Sequence, residues 1–321
     1  MARTPEQIAQ QWESLGRKDS MPDTIQVNEQ DRIIGELRFT DEWAGTRVER
    51  TDSKYGNDRV YAIDGLGEYT SVTSSLNVIN KPKLVDWRKN RTLDKVELLL
   101  SQPAQIAKYK AVADEKNARA KKHNANNPKV RWNDSHTWHS FMREDAKKAP
   151  GEIMETSRVF GNESHELIEL ALLSGDIQVD PAYAHIYEGF TAWQRDTGLT
   201  VVATELMVWH SFHEYAGTID MVVRTDSGAL GVVDIKTGGV FNEAAMQLAA
   251  YAKALRHLTD EPVEHAWVLQ LPRERSKTDA TEELYQFVKL ADLPHWFDGF
   301  KAAKELAPYS EEEAWPQLST S

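Results

Sequence analysis

Two carboxylates and an amine stand in otherwise apolar segments, where they could hold a cation and a phosphate. Asp220 lies within AGTIDMVV, and Asp234 and Lys236 lie within GVVDIK. Side chains two residues apart on a strand point to the same face, so Asp234 and Lys236 would lie side by side. Two carboxylates that meet on one sheet face repel each other unless a cation lies between them. Oxygen ligands of this kind suit one or two Mg²⁺ or Mn²⁺ ions.

The spacing of the two acids predicts that they face each other across a hairpin. The turn sequence DSG, at residues 226–228, separates the two apolar segments. Asp220 precedes this turn by six residues and Asp234 follows it by six, so an antiparallel pairing would place both at one height. Lys236 would then orient or deprotonate a water, or neutralise charge on a phosphate. The alternative is a structural ion pair between neighbouring strands.

Four further residues could complete such a site. His165, on a predicted helix, could add an imidazole ligand, although a lone helical histidine is more often structural. Glu205, in VATELMVW, could support the ligands or contact a second metal ion. Gln247 and Tyr251 are four residues apart on a predicted helix and share one face, from which both could reach a phosphate or the lysine. An ordinary amphipathic helix with a buried tyrosine is the alternative.

The elements that must position these residues follow from the hydrophobic periodicity. Helix patterns over residues 154–173 and 180–198 precede three strand patterns, and a helix pattern over 242–258 is followed by two more strands and a closing helix. This order predicts an α/β fold with a mixed central β-sheet flanked by helices. The sequence has no glycine-rich phosphate loop, so an ATPase or a dehydrogenase is not favoured.

The residues considered so far occur together in a known pattern: His165 on a helix, Asp220, Asp234-Ile235-Lys236, and Gln247 with Tyr251. This set resembles the RecB-type branch of the PD-(D/E)XK nuclease superfamily, with its restriction-endonuclease-like core. In that branch the histidine, the two acids and a backbone carbonyl hold the metal; by resemblance these are His165, Asp220, Asp234 and Ile235. The resemblance also implies that the lysine serves the attacking water and that the Gln/Tyr pair supports the site and the strand being cut.

A second segment, SVTSSLNVINKPKLVDW, is similar to one that precedes this core in phage-encoded and mitochondrial-type exonucleases of the branch. The resemblance covers residues 155–260 well and 69–91 moderately. From it, and from the basic residues that follow, we expect these residues to contact DNA: Ser71, Thr73, Trp87, Arg88, Lys89, Arg91 and Thr237.

Charge is distributed unevenly along the chain. The formal net charge is −12, yet residues 81–131 carry 14 Lys or Arg and 5 Asp or Glu, which is +9 and leaves −21 elsewhere. A basic segment on an acidic body can bind phosphate locally. With the aromatic residues Trp87, Tyr109 and Trp132 it would guide a single strand by electrostatics and stacking. The alternative is a solvated helix that happens to be rich in lysine.

We therefore expect a variable N-terminal extension over residues 1–60, a nuclease domain over 61–308 and an acidic tail over 309–321. Within the nuclease domain, residues 92–150 would form a basic helical insertion and guide DNA, and residues 155–290 would form the catalytic core.

These features predict a metal-dependent DNA nuclease, in particular an exonuclease that acts from a free end in recombination, repair or phage DNA processing. Its substrate would be DNA that is single-stranded or has a free end, and a recombinase or helicase could be a partner. Two alternatives stay open: a nuclease-derived DNA-binding or scaffold module without catalysis, and a structure-specific endonuclease with the same core. RNA as the substrate is also left open.

Composition narrows the cofactors and the setting. The chain has no cysteine. This excludes disulfides, thiolate zinc sites and cysteine-ligated iron–sulfur clusters. No apolar run approaches membrane-spanning length, and the first residues lack the apolar core of a signal peptide. We expect a cytoplasmic protein of a bacterial or phage-infected cell, with no membrane partner.

Overall fold

The chain folds into two units. The computed structural model describes residues 32–44, 46–52, 59–175, 177–274 and 283–310. The first unit, here the sheet unit, contains the described residues up to Asn80 and from Gly161 onward. The second, here the helical unit, runs from Lys81 to Phe160. The predicted acidic tail, apart from residues 309 and 310, lies outside the described residues.

The described residues form eight strands and seven α-helices. The strands are β1 (Val48–Asp52), β2 (Arg59–Ile63), β3 (Gly67–Ser71), β4 (Thr200–His210), β5 (Tyr215–Arg224), β6 (Leu230–Lys236), β7 (Val263–Gln270) and β8 (Gln286–Lys289). The α-helices are α1 (Val72–Ser75), α2 (Pro82–Leu100), α3 (Pro103–Asn126), α4 (Trp138–Ser174), α5 (Ala184–Thr197), α6 (Asn242–Leu258) and α7 (Leu293–Leu306). Short 3₁₀ turns span Leu76–Val78, Pro181–Tyr183 and Ala307–Ser310.

All eight strands belong to one mixed sheet in the sheet unit. Neighbouring strands follow the order β1-β2-β3-β5-β6-β7-β8, and β4 pairs with β5. The β3–β5 and β6–β7 pairs are parallel, and the other pairs are antiparallel. Helices flank the sheet, which confirms the predicted fold class.

The turn between β5 and β6 has the hairpin geometry that its sequence predicts. Gly228 N donates to Thr225 O at 2.8 Å, and Thr225 N donates to Ala229 O at 3.0 Å. Gly228 has φ +87°, a left-handed conformation in which a side chain would be strained. A tight turn that ends on a left-handed glycine is a common three-residue hairpin connection, and it fixes the register of the strands on either side.

The register of this hairpin is the one predicted for the two acids. The ladder pairs Met221 with Val233, and this is its last pair before β5 and β6 diverge. The next position in the same register places Asp220 opposite Asp234. Both acids therefore lie where the hairpin opens, which leaves room between the strands.

Helix α6 packs directly on β5 because the strand has a glycine beneath it. A Cβ on Gly217 would lie 2.4 Å from Tyr251 Cε1, closer than any side chain tolerates. Apolar residues of α6, including Leu248 and Leu255, are fully buried in the main core. The helix is thereby fixed with Gln247 and Tyr251 on the face that covers the sheet.

Part of the predicted N-terminal extension belongs to the fold. Within residues 32–52, Ile33 bridges to Ala203 of β4, and Phe39 bridges to Thr259 beyond α6. The segment ends in β1, an edge strand of the sheet. Its buried apolar side chains are separated by polar stretches, so no periodic pattern marks the segment as structured.

The helical unit consists of α2, α3 and the first part of α4, and α4 continues into the sheet unit. A small core of the unit contains Leu99, Tyr109, Met142 and Ala146. At 37 residues, α4 is longer than the helix predicted from residue 154 and contains Pro150. Within the described ranges, no helix combines the length and the apolar composition needed to cross a bilayer.

Candidate active site

Three side chains from different elements of the sheet unit converge. His165 comes from α4, Glu205 from β4 and Asp220 from β5, and their ligand atoms all lie within 4.8 Å of one another. His165 Nδ1 is 3.8 Å from Glu205 Oε1 and 3.7 Å from Asp220 Oδ1. We call this group the acidic cluster. Its side chains are 13–27 % exposed, so a small solute can reach them.

The divergence of β5 and β6 turns the backbone of Ile235 toward this cluster. The Ile235 N–H donates to Asp220 Oδ2 at 2.7 Å. The Ile235 carbonyl accepts from His165 Nε2 at 3.1 Å. The side chain of Ile235 is 2 % exposed and belongs to the core. One residue therefore anchors β6 and also supplies both of its peptide groups to the site.

A second set of contacts centres on Asp234, which is 1 % exposed. Lys236 Nζ donates to Asp234 Oδ1 at 2.9 Å and lies 2.8 Å from Oδ2. Gln247 Nε2 donates to the same Oδ1 at 3.1 Å and to the hydroxyl of Tyr251 at 3.2 Å. The predicted Asp–Lys and Gln–Tyr pairs thus meet at one carboxylate.

The acidic cluster carries more negative charge than its surroundings can easily hold. Burial raises the pKa of the Asp220 carboxyl to about 7, and the charges of Asp234 and Glu205 contribute to the rise against the effect of His165. Burial by itself would lower the pKa of the His165 imidazole, but Asp220 and Glu205 raise it to about 9. Without a bound cation, His165 at neutral pH is therefore an imidazolium that balances part of the negative charge, and a metal ion would have to displace its proton.

The neighbouring lysine is also charged. Burial favours the neutral amine, but the carboxylates of Asp234 and Asp220 outweigh it and raise the pKa of Lys236. Burial raises the pKa of the Tyr251 phenol well above its usual value, so this hydroxyl stays protonated. The site thus presents an ammonium and a phenol as hydrogen-bond donors beside a group of acids.

The acidic cluster fits a divalent cation. Its donors are carboxylate oxygens and an imidazole nitrogen, which suit ions such as Mg²⁺ and Mn²⁺, and the carbonyl of Ile235 lies beside them. The converging residues differ from the predicted ligand set at two positions. Glu205, expected to support the ligands or to contact a second metal ion, is in the converging group, whereas Asp234 is directed to Lys236 and Gln247.

The chain matches the model of a known protein family. Residues 138–318, more than half of the chain, match the model of the PD-(D/E)XK nuclease superfamily. The chain belongs to this superfamily, whose nucleases use divalent metal ions. The matched region contains every residue of the acidic cluster as well as Asp234 and Lys236. A comparison with curated proteins finds no match.

The residues of the sheet unit that we expect to contact DNA differ in exposure. Ser71 is buried, and its Oγ accepts from Ser74 N at 2.9 Å, which caps α1. Thr73 and Thr237 are half-buried and keep part of their surface. Thr237 directly follows β6, next to Lys236. A phosphate contact by Ser71 would therefore have to compete with its capping role, and the Thr73 hydroxyl is itself 3.0 Å from Ser71 Oγ.

In the helical unit, two of the expected DNA contacts line a groove of about 360 Å³. Arg88 and Lys89 of α2 are exposed there, and Lys147 of α4 lies on the same groove. Trp87 is half-buried, and Arg91 forms an ion pair with Asp94 at 2.9 Å. The groove thus places three basic side chains around a concave surface, with Lys147 also paired with Glu144 at 2.8 Å.

The expected aromatic stacking positions of the helical unit differ from each other. Trp132 is 52 % exposed and stacks on His123, with ring centroids 3.9 Å apart. Tyr109 is buried, and its hydroxyl donates to Asp145 at 2.6 Å. The prediction that Tyr109 offers a stacking surface is wrong, because the ring belongs to the core of the unit.

Two charged residues beside the acidic cluster were not predicted. Arg32 Nη1 donates to the carbonyl of Glu205 at 2.7 Å, and Arg32 Nε lies 3.6 Å from Glu169 Oε1. Glu169 had a detectable pattern, because it follows His165 by four residues on one helix and shares its face. Arg32 is 173 residues from Glu205 in the chain, and nothing in its local sequence marks it.

Proposed function

We propose that the protein is a metal-dependent exonuclease that hydrolyses phosphodiester bonds of DNA from a free end. The observation that carries the proposal is the meeting of the acidic cluster with the Asp234–Lys236 pair where β5 and β6 diverge. A metal-binding group and an ammonium side by side are what hydrolysis of a phosphodiester needs.

The chemistry divides between the cation and the protein's own side chains. A divalent cation held by His165, Glu205 and Asp220 would supply positive charge to the phosphate and lower the pKa of a water. Lys236 donates hydrogen bonds to a phosphate oxygen or to the attacking water and stabilises negative charge as it develops. Because its pKa is raised, Lys236 orients the water as an ammonium rather than acting as a base.

Gln247 and Tyr251 hold this arrangement in place. Gln247 links Asp234 to the tyrosine hydroxyl, and Tyr251 is packed against Gly217 of β5. The phenol stays protonated and, because Tyr251 is buried, its hydroxyl supports Gln247 from within the fold. These contacts fix Asp234 and, through it, the position of the lysine.

Each unit, taken by itself, offers surfaces that suit the DNA backbone. The groove lined by Arg88, Lys89 and Lys147 has the charge and the concave shape to hold a phosphate, and Trp132 offers an exposed ring for a base. The exposed surfaces of Thr73 and Thr237 suit further phosphate contacts. Such contacts are independent of sequence, as an enzyme that degrades DNA progressively requires.

The likeness of these residues to the RecB-type branch supports a role in DNA recombination, repair or phage DNA processing in the cytoplasm. A recombinase or helicase that presents a free strand would be a fitting partner. Mg²⁺ or Mn²⁺, as one or two ions, are the cations we propose.

The test uses linear DNA labelled at its 5′ or 3′ end and the same sequence as a closed circle. With Mg²⁺ or Mn²⁺, we expect stepwise loss of nucleotides from linear DNA, intact circles, and no reaction in EDTA. Asp234→Ala and Lys236→Ala should abolish cleavage while DNA binding and folding persist. Lys301→Ala is the matched control, since Lys301 forms an exposed ion pair with Asp298 on α7.

The competing functions give different results in the same assay. DNA binding without metal-stimulated degradation would indicate a catalytically silent scaffold, although the chain retains both acids and the lysine. Cleavage of circular DNA would indicate an endonuclease. Preferential degradation of labelled RNA would reassign the substrate. Cleavage at the wild-type rate by Asp234→Ala or Lys236→Ala would contradict the proposed site.

A further inference from the structure

Glu205 has a backbone conformation that a glutamate rarely adopts. Its φ is +46°, in the left-handed region, although it lies in the middle of β4. The residues on either side pair regularly with β5 in one register, Thr204 with Met221 and Leu206 with Ile219. The strain is therefore confined to one residue, and that residue belongs to the acidic cluster. Strain of this kind persists only where surrounding contacts enforce it.

Arg32 makes the contact that can enforce this conformation. Its Nη1 donates to the carbonyl of Glu205 at 2.7 Å. The same guanidinium lies with Nε 3.6 Å from Glu169 Oε1. The side chains of Arg32 and Glu169 are 20 % and 8 % exposed, so the pair is shielded from water. A planar guanidinium can address two acceptors at once, which fixes the peptide of Glu205 relative to α4.

Two residues of α4 are thus linked to Glu205, one directly and one through Arg32. His165 approaches the carboxylate, and Glu169, one helical turn later on the same face, holds the carbonyl through Arg32. A buried carboxylate such as Glu169 needs a cationic partner, and Arg32 supplies it. The N-terminal segment that carries Arg32 is held on the sheet unit by bridges from Ile33 and Phe39.

We propose that Arg32 and Glu169 are positioning residues that hold Glu205 so that its carboxylate joins His165 and Asp220 as a ligand for a divalent cation. The inference rests on the proposed function in one respect, the identity of the acidic cluster as the cation site. It makes the N-terminal segment a part of the active site rather than a variable extension.

The experiment measures Mn²⁺ binding by calorimetry and thermal unfolding without added cation on the full chain. Arg32→Gln and Glu169→Gln should each weaken Mn²⁺ binding by about 10-fold or more, as expected when a group that orients a metal ligand is lost. The double variant should be little weaker than either single one, because the two residues act as a unit.

Two further variants distinguish loss of the contact that positions Glu205 from loss of the attachment of the N-terminal segment to the sheet unit. Arg38→Gln is the matched control, because Arg38 lies on the same segment and its guanidinium pairs at 3.9 Å with Glu261, outside the acidic cluster. It should bind Mn²⁺ within about 2-fold of wild type, in the range of an exposed charge. Arg32→Lys keeps a positive charge beside Glu169 and so preserves folding, but it lacks the planar fork and should still lose affinity.

The outcomes are distinguishable. Wild-type Mn²⁺ affinity in a folded Arg32→Lys or Arg32→Gln protein would overturn the positioning role, whatever the effect on melting temperature. Equal losses in Arg38→Gln and Arg32→Gln would also overturn it and assign the effect to attachment of the segment. If wild-type protein binds Mn²⁺ and cleaves DNA while these variants match it, only this inference fails. If wild-type protein neither binds Mn²⁺ nor cleaves DNA, the proposed function fails as well.

Discussion

In the sheet unit, two clusters of titratable side chains lie near the β4–β5 hairpin, and the groups that surround their histidines differ in charge. The acidic cluster lies along the middle of these strands. The second group, here the histidine cluster, lies where β4 passes into β5 and consists of His210, His213 and His257. In the acidic cluster one imidazole faces two carboxylates, whereas in the histidine cluster the imidazoles lie against one another and His257 also pairs with a carboxylate, that of Glu42.

The two clusters shift the pKa of a histidine in opposite directions. The pKa of His165 is raised to about 9, because Asp220 and Glu205 outweigh its burial. The pKa of His210 is lowered to about 3, first by burial and then by the nearby His257, His213 and Lys253. His210 stacks on His257 with ring centroids 4.3 Å apart and planes 6° apart. Burial acts on both, and the neighbouring carboxylates decide the direction.

This difference in charge indicates separate roles for the two clusters. In the acidic cluster, burial and the neighbouring carboxylates raise the pKa of Asp220, and a bound cation would relieve this repulsion. In the histidine cluster the rings pack against one another, the lowered pKa keeps His210 neutral, and His257 lies between Ser211 and Glu42. We therefore propose metal binding and cleavage for the first cluster and a contribution to stability for the second.

The largest expected effect separates the clusters by activity. Asp220→Asn removes a charged ligand while keeping the shape of the side chain, and it should reduce DNA cleavage by at least about 100-fold. His257→Gln should leave the cleavage rate within about 3-fold of wild type, because His257 belongs neither to the acidic cluster nor to the Asp234–Lys236 pair. Initial rates on labelled linear DNA measure both. A comparable loss in the two variants would remove the distinction.

A second expected effect separates the clusters by pH. The folded-state pKa of His210, about 3, is below its unfolded value near 6.5. The unfolded state therefore binds the proton more tightly, so the stability is fully present above pH 6.5 and is lost as the pH falls toward 3. His210→Phe removes this titration and should flatten the fall in the free energy of unfolding between about pH 7 and about pH 5.

Urea denaturation at several pH values measures that slope. His213→Phe is the comparison variant, because His213 is only partly buried and its pKa is lowered less decisively. An unchanged slope in His210→Phe would contradict the assignment of a neutral, structural imidazole to this position.

The smallest expected effect tests the structural role of the histidine cluster. Ser211 Oγ lies 2.8 Å from His257 Nε2, and Ser211→Ala removes this hydrogen bond. The free energy of unfolding should fall by about 0.5–1.5 kcal/mol, with no change in DNA cleavage. Ser227→Ala, in the exposed turn between β5 and β6, is the control and should change stability less. A loss of cleavage in Ser211→Ala would show that the clusters are coupled.

The sequence predicts the centre of the fold better than its margins. The strands around Asp220 and Asp234, and helix α6, follow from strict apolar patterns bounded by turn residues, and the hairpin register follows from the glycine turn at Gly228. The N-terminal segment could not be predicted, because Ile33 and Phe39 gain their partners from residues far along the chain. Pro150 followed by Gly151 resembles a helix break, yet α4 continues through both.

The site shows the same limit. The predicted pairs Asp234–Lys236 and Gln247–Tyr251 are in contact because each lies on one face of one element. The importance of Glu205 was underestimated, because its orientation depends on a positive φ and on Arg32, neither of which a strand pattern reveals. Local spacing predicts neighbours along an element, whereas contacts between distant segments require the fold.

We expect a divalent cation to bind at the acidic cluster and not at the histidine cluster. A crystal structure of the protein soaked in Mn²⁺, with the metal located by its anomalous scattering, would show which cluster binds it. We predict a peak bounded by His165, Glu205 and Asp220 that disappears in Asp220→Asn. The absence of a peak there in the wild-type protein, or a peak at His210 and His257 instead, would contradict the account.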